Sequence, residues 1–309
     1  MKILITGGAG YIGSLLATEL LKKDHTITII DSLMYGGNSL LHIINDPKLT
    51  FIKGDVRDDK LLKNECKKCD ILIHLAAIVG YPGCEKDTKL AYDINQNSVK
   101  SISKYISKDQ LVLFASTGSN YGAVKDGICT EETPLNPLTT YGISKTEAEK
   151  IFLNQNTTIA YRFATAFGLS YRPRLDLLIN DFVYQAVNMK YIVVYESHFM
   201  RTFIHVKDII RSFLFAIDNQ EMMINQVYNV GSDDLNYSKK EVCELINQRI
   251  KYYLHLADVG KDMDQRDYVV SYEKITSLGY KTKYSIEYGI DELYKAYKVL
   301  NINNPFSNA

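Results

Sequence analysis

Tyr141-Gly142-Ile143-Ser144-Lys145 sets a phenol and an ammonium four residues apart, which on a helix is one turn and one face. A free phenol titrates near pH ~10 and is a poor base at neutrality. A cation beside it favours the phenolate and brings it into range for abstracting a proton from an alcohol. The spacing alone is a weak signal: the chain holds 23 tyrosines, and Tyr252 and Tyr253 also stand beside a lysine. It gains weight from what stands upstream.

Thr6-Gly7-Gly8-Ala9-Gly10-Tyr11-Ile12-Gly13 follows an apolar run and opens an amphipathic stretch. In that setting Gly7 permits a tight turn, Gly10 lets backbone N–H groups approach a pyrophosphate, and Gly13 lets a helix pack closely on its strand. The helix N-terminus adds partial positive charge for the phosphates. Gly8 and Gly13 also have the spacing of a nucleoside-triphosphate loop, but Ser14 stands where that loop requires lysine. Asp31 ends the second apolar run, about twenty residues beyond the loop. A carboxylate there accepts from a ribose 2′-hydroxyl and repels a 2′-phosphate, so the cofactor expected is NAD rather than NADP. Its positive nicotinamide ring would join Lys145 in favouring the Tyr141 phenolate.

The elements that must hold these groups alternate. Short apolar runs at 2–6, 26–30, 49–53, 71–75 and 111–115 read as strands buried on both faces, and 11–23, 87–107 and 141–154 read as helices. The last begins after Pro134 and Pro137, with Thr139 or Thr140 as cap. This order predicts a Rossmann-type, doubly wound parallel α/β sheet. After 160–164 the pattern loosens: 182–189 looks helical, 192–195 is a short strand, 206–219 is a helix returning to the first layer, 239–251 is helical and 269–270 is a strand. We therefore expect an NAD-binding domain over 1–167, completed by about 206–230, and a smaller mixed α/β C-terminal substrate cap from 168–205 and 231–309.

Composition narrows the class. At 309 residues, 46% hydrophobic and 23% charged, the chain is neither disordered nor in need of disulfides. Thirty-six basic residues balance thirty-six acidic ones, without the surplus a nucleic-acid binder carries, and the scattered tyrosines form no stacking platform. The apolar start after Lys2 is too short for a signal peptide, no run reaches the ~18 apolar residues of a membrane span, and five irregularly spaced cysteines suit a reducing compartment. A cytoplasmic protein is expected. Cys66-Lys67-Lys68-Cys69 lacks a second ligand pair, so no metal is expected; His74 and His205, flanked by aliphatics, read as core residues.

Taken together, Gly7/Gly10/Gly13, Asp31, Asp55-Val56, His74-Leu75-Ala76-Ala77, Ser116-Thr117 with Tyr121-Gly122, and Tyr141/Lys145 resemble the extended short-chain dehydrogenase/reductase family, and most nearly its nucleotide-sugar epimerases and dehydratases. Arg201-Thr202-Phe203-Ile204-His205-Val206-Lys207-Asp208 and Tyr228-Asn229-Val230-Gly231 extend the resemblance over nearly the whole chain. It implies a cofactor site that includes Tyr11, Ile12 and Leu75, with Asp55 and Val56 at the adenine, Ala76 and Ala77 beside the phosphates, and Lys145 on the nicotinamide ribose. Thr117 would hold the reacting sugar hydroxyl and Tyr141 would take its proton, while Arg174, Arg201 and Arg266 would meet the substrate, the last two at its diphosphate.

Two departures matter. The family's 4,6-dehydratases carry an Asp-Glu pair where this chain has Gly118-Ser119, and its usual asparagine after the sixth strand is Thr165 here, with Asn180 as a candidate replacement. Ile78-Val79-Gly80, the stretch 172–178 and the stretch 265–271 resemble the branch that oxidises GDP-D-glycero-α-D-manno-heptose at C4 for capsular polysaccharide, with 4-epimerisation of a UDP- or GDP-sugar as the alternative. The resemblance also implies a homodimer through the 87–107 and 141–154 helices, for which Ile94, Ile102 and Ile106 offer a contact stripe unless the protomer itself buries them.

Overall fold

The structure, a computed structural model, describes residues 1–122, 124, 127–258 and 268–300. Seven strands form the central sheet: β1 (Lys2–Thr6), β2 (Thr26–Asp31), β3 (Leu49–Lys53), β4 (Ile71–His74), β5 (Leu111–Thr117), β6 (Thr157–Phe163) and β7 (Gln226–Val230). All pair in parallel, in the order β3-β2-β1-β4-β5-β6-β7. The doubly wound sheet expected from the sequence is present. Its order reverses between β1 and β4, and a crevice opens beyond the strand ends at such a switch point. Ile3, Leu4 and Ile5 of β1 and all of β4 are buried, as strands covered on both faces must be, whereas edge strand β3 is half-exposed.

Helix α1 (Tyr11–Lys22) starts at Gly10 with no side-chain cap and no acidic residue in its first turn, which leaves its first N–H groups for a ligand. Helix α2 (Thr140–Gln155) is capped by Thr139, whose hydroxyl accepts the Gly142 N–H at 3.1 Å. The 87–107 segment is helical from Thr88 to Tyr105 but widens to a π turn at Asp93–Asn97. Asn95 in that turn faces inward, accepting the Ile78 N–H at 2.8 Å and donating to the Ile78 carbonyl at 2.9 Å. Ile94, Ile102 and Ile106 are buried within the protomer itself, so they offer a partner subunit no stripe.

Helices α3 (Leu178–Asn188), α4 (Val206–Asp218), α5 (Lys239–Arg249) and α6 (Ile286–Val299) complete the frame. Ile179, Val183, Val242, Ile246, Ile290 and Leu293 of α3, α5 and α6 close a second core around Phe167 and Phe203. Two features differ from the sequence reading. Strand Tyr253–Ala257 pairs in parallel with Tyr191–Tyr195, and Tyr268, Val270, Tyr272, Ile275 and Tyr280, expected in the cap, pack instead into the main core over the sheet.

A buried ionic network ties β5, β6 and α2 together. Arg162 grips Glu149 with Nη2 at 2.6 Å from Oε1 and Nε at 3.2 Å from Oε2. Ser116 donates to Glu149 at 2.6 Å, and Asn120 to Glu149 at 3.2 Å and to Ser116 at 3.0 Å. Both charged side chains are nearly inaccessible, so losing one strands the other. Glu149→Gln is expected to cost about 3–5 kcal/mol in urea unfolding, and the double replacement Glu149→Leu/Arg162→Met to recover most of it. A double variant no more stable than the single one would show that the pair is not the unit.

Candidate active site

The loop between β1 and α1 is shaped by backbone contact. Gly7 has φ +76°, and a Cβ there would lie 2.7 Å from the Ala76 nitrogen beyond β4; a Cβ on Gly13 would lie 2.6 Å from the Gly8 Cα. Gly13 thus lets α1 close on the glycine turn rather than on the strand. Asp31 supports the same turn: its Oδ2 accepts the Ala9 N–H at 2.9 Å and its Oδ1 the Leu33 N–H at 2.8 Å. Burial pushes its pKa up, against those two hydrogen bonds. The remaining lone pairs of Asp31 suit ribose hydroxyls, and the uncapped helix start suits a diphosphate. The residues fit a dinucleotide.

A single cleft joins this cradle to the catalytic candidates. Its walls include Gly7, Gly10 and Gly13 with Tyr11 and Ile12, Asp31, Asp55 and Val56, Leu75 with Ala76 and Ala77, and then Thr117, Tyr141 and Lys145. Its volume is about 310 Å³, within the ~300–1,000 Å³ range of small-ligand sites. Strand β5 ends at Thr117, whose hydroxyl donates to Ser119 Oγ and accepts the Ser119 N–H, both at 3.1 Å. Lys145 is buried with Nζ 4.1 Å from the centre of the Phe114 ring, and burial takes its pKa down to about 7, opposed by Glu149 and the Cys84 thiol. His74, behind it, shares a hydrogen bond between Nδ1 and the Thr6 hydroxyl at 2.8 Å, and burial and Lys145 push its pKa down to about 3.

The other site residues named from the sequence divide. Arg174 lines the cleft, ion-paired through Nε and Nη2 to Asp176. Asn180 does not line it: its amide accepts the Gly168 N–H at 2.9 Å and donates to the Gly168 and Arg174 carbonyls, which pins the loop rather than a substrate. Arg201 is buried, donates to the Met200 carbonyl at 3.0 Å and stands outside the cleft lining. Arg266 lies outside the described residues. His205 is a core residue, accepting the Lys207 N–H through Nδ1 and meeting Glu292 through Nε2 at 3.2 Å. Among the described residues no group of three or more His, Cys, Asp or Glu could hold a metal, and no helix is long and apolar enough to cross a membrane.

The sequence reading did not single out several cleft residues, among them Tyr35, Tyr268 and Arg172. Tyr35 follows Asp31 closely enough to have been suspected. Arg172 was noticed only as part of a stretch, and nothing in the string marks Tyr268 as facing Gly118.

The displaced pKa of Lys145 makes a stability claim. Between about 7 and the ordinary lysine value of 10.5, the unfolded chain binds a proton that the folded chain does not. Stability without ligand therefore rises with pH across that window, and the cost of burying the ammonium is fully present below it. Lys145→Met is expected to unfold at higher denaturant in neutral buffer and to show a shallower rise with pH. Parallel pH profiles for the two proteins would refute this.

The family model described as "NAD dependent epimerase/dehydratase family" matches residues 3–231. A putative UDP-glucose 4-epimerase of Methanocaldococcus jannaschii is 27% identical over 300 residues, covering 93% of this chain and 95% of that protein. The X-ray structure of Pal from Bacillus thuringiensis superposes with a TM-score of 0.86 at 23% identity, over 96% of this chain and 99% of the other, a likeness of fold. The dTDP-glucose 4,6-dehydratase of Bacillus anthracis, solved in complex with NAD, has a TM-score of 0.81 at 27% identity over 96% of each chain. The chain belongs to the NAD-dependent epimerase/dehydratase family and is an NAD-dependent enzyme of the extended short-chain dehydrogenase/reductase type.

Proposed function

We propose that this enzyme oxidises a secondary alcohol, at C4, of a nucleotide-activated sugar. The observation that carries the reading is the convergence of Thr117, Tyr141 and Lys145 on the cleft that also holds the glycine cradle. NAD, when bound, supplies the hydride acceptor. Thr117 orients the sugar hydroxyl, Tyr141 takes its proton, and Lys145 stabilises the resulting phenolate. Gly10 and the start of α1 hold the diphosphate of the cofactor and Asp31 its ribose. Arg174 reaches the substrate from the loop after Gly168, and a homodimer is the expected assembly.

The stretch 172–178, with Arg172 and Arg174 on the cleft wall, supports GDP-D-glycero-α-D-manno-heptose as the sugar nucleotide and surface-polysaccharide assembly as its use. The second reading, 4-epimerisation, is supported by relatives named as UDP-glucose 4-epimerases. Incubation with the GDP-heptose and NAD in deuterated water, followed by NMR and mass spectrometry, separates them. A 4-keto product with NADH formed is the expected outcome. A C4-inverted sugar of unchanged mass would establish the epimerase, and no reaction, with turnover of a UDP-hexose, would overturn the choice of substrate.

Tyr141→Phe is expected to lose about 10²–10⁴-fold in turnover, the range of a positioned acid–base group, while its NAD affinity by calorimetry stays close to the parent value. Parent-like turnover in this variant would remove Tyr141 from the mechanism.

A further inference from the structure

Arg172 is 4% exposed, and among the described residues nothing hydrogen-bonds its Nε or Nη2. Burying a guanidinium without partners is costly. The two carboxylates that act on it are already engaged: Asp31 by the Ala9 and Leu33 N–H groups, and Asp176 by Arg174. Its placement is set from two sides. The Arg172 N–H donates to Ser170 Oγ at 3.3 Å, and Ser170 Oγ donates to the Tyr11 carbonyl at 2.6 Å, which ties this loop to the first turn of α1. The guanidinium lies 4.6 Å over the ring of Tyr35, beyond Asp31. Its donors therefore sit between the uncapped start of α1 and the Asp31–Tyr35 corner, in the wall of the cleft.

We propose that Arg172 is a cofactor-binding residue that clamps the diphosphate of the dinucleotide from the side opposite α1. The planar fork of a guanidinium matches two phosphate oxygens, and the first turn of α1, Tyr11-Ile12-Gly13-Ser14, offers backbone N–H groups but no charged side chain. A 2′-phosphate is the poorer occupant, because it would lie beside Asp31. The assignment rests on the NAD reading of the cleft and not on which sugar is turned over, so the test reads binding alone.

The full chain, Arg172→Gln and Arg172→Lys are titrated calorimetrically with NAD, ADP, adenosine and GDP, and their melting temperatures are measured with and without NAD. Arg172→Gln is expected to bind NAD and ADP about tenfold to a hundredfold more weakly, the range for hydrogen bonds to a charged group. Its affinity for adenosine is unchanged, and Arg172→Lys falls between. Without ligand the Gln variant should melt higher than the parent, because an unpartnered buried charge has been removed, while its NAD-induced shift shrinks. If the Gln variant does not fold, the ratio of ADP to adenosine affinity in the Lys variant decides. Unchanged NAD affinity would overturn the proposal. So would equal losses for ADP and adenosine with a lower melting point, which would make Arg172 a support for Tyr35. A loss confined to GDP would assign its phosphate to the sugar nucleotide.

Discussion

The constraint on which the molecule rests is the contact between two stretches of backbone at the centre of the sheet. The turn after β1 passes so near the residues after β4 that a Cβ on Gly7 would overlap Ala76, and α1 starts so close to the same turn that one on Gly13 would overlap Gly8. Side chains cannot mediate an approach of this kind, because main chain touches main chain. The approach sets where α1 begins, and so where its free N–H groups point. Asp31 then fixes the turn from β2 through the Ala9 N–H, so the residue proposed for the ribose also shapes the turn proposed for the phosphates.

Three of the buried cations stand in three different electrostatic settings. Arg162 has its carboxylate in a bidentate pair and belongs to the scaffold. Lys145 has Glu149 one helical turn away, a neutral His74 behind it and an aromatic face beneath, which together leave its charge balanced near neutrality. Arg172 has neighbours of opposite charge that are bonded elsewhere. The gradient from paired to unpaired follows the route from the sheet interior to the cleft wall. The charge satisfied within the protein belongs to the scaffold, and the two less satisfied ones line the cleft, where a ligand would meet them.

The sheet was legible because it rests on a local rule, and the residues expected at the cofactor line one cleft. Period and apolarity gave β1 to β6, glycine spacing marked the turn before α1, and of the two threonines offered as cap the structure uses Thr139. Asn180 failed for a physical reason: an amide satisfied by backbone and one facing a ligand look alike in sequence, and only the positions of the Gly168 and Arg174 carbonyls tell them apart. The isoleucines of 94–106 were left open for the same reason, since an apolar stripe does not declare which surface covers it, and the protomer itself covers them. Residues 268–280 joined the main core rather than the cap because long-range packing, not local pattern, decides where a late segment returns.

The turn beyond β5 bears on the type of reaction more than overall similarity does. Relatives at 27% identity are named as 4-epimerases and as 4,6-dehydratases alike, so similarity does not choose. Removing water from a sugar requires an acid and a base beyond the group that serves the C4 alcohol. Gly118 supplies neither, and a Cβ there would lie 3.1 Å from the Tyr268 hydroxyl, so the space a longer side chain would need is already narrowed. Ser119 Oγ accepts the Thr117 hydroxyl. What the end of β5 presents to the cleft is the Thr117 and Ser119 hydroxyls, beside Tyr141 and Lys145. That supports oxidation at a single carbon, whether or not the hydride is later returned, and argues against elimination.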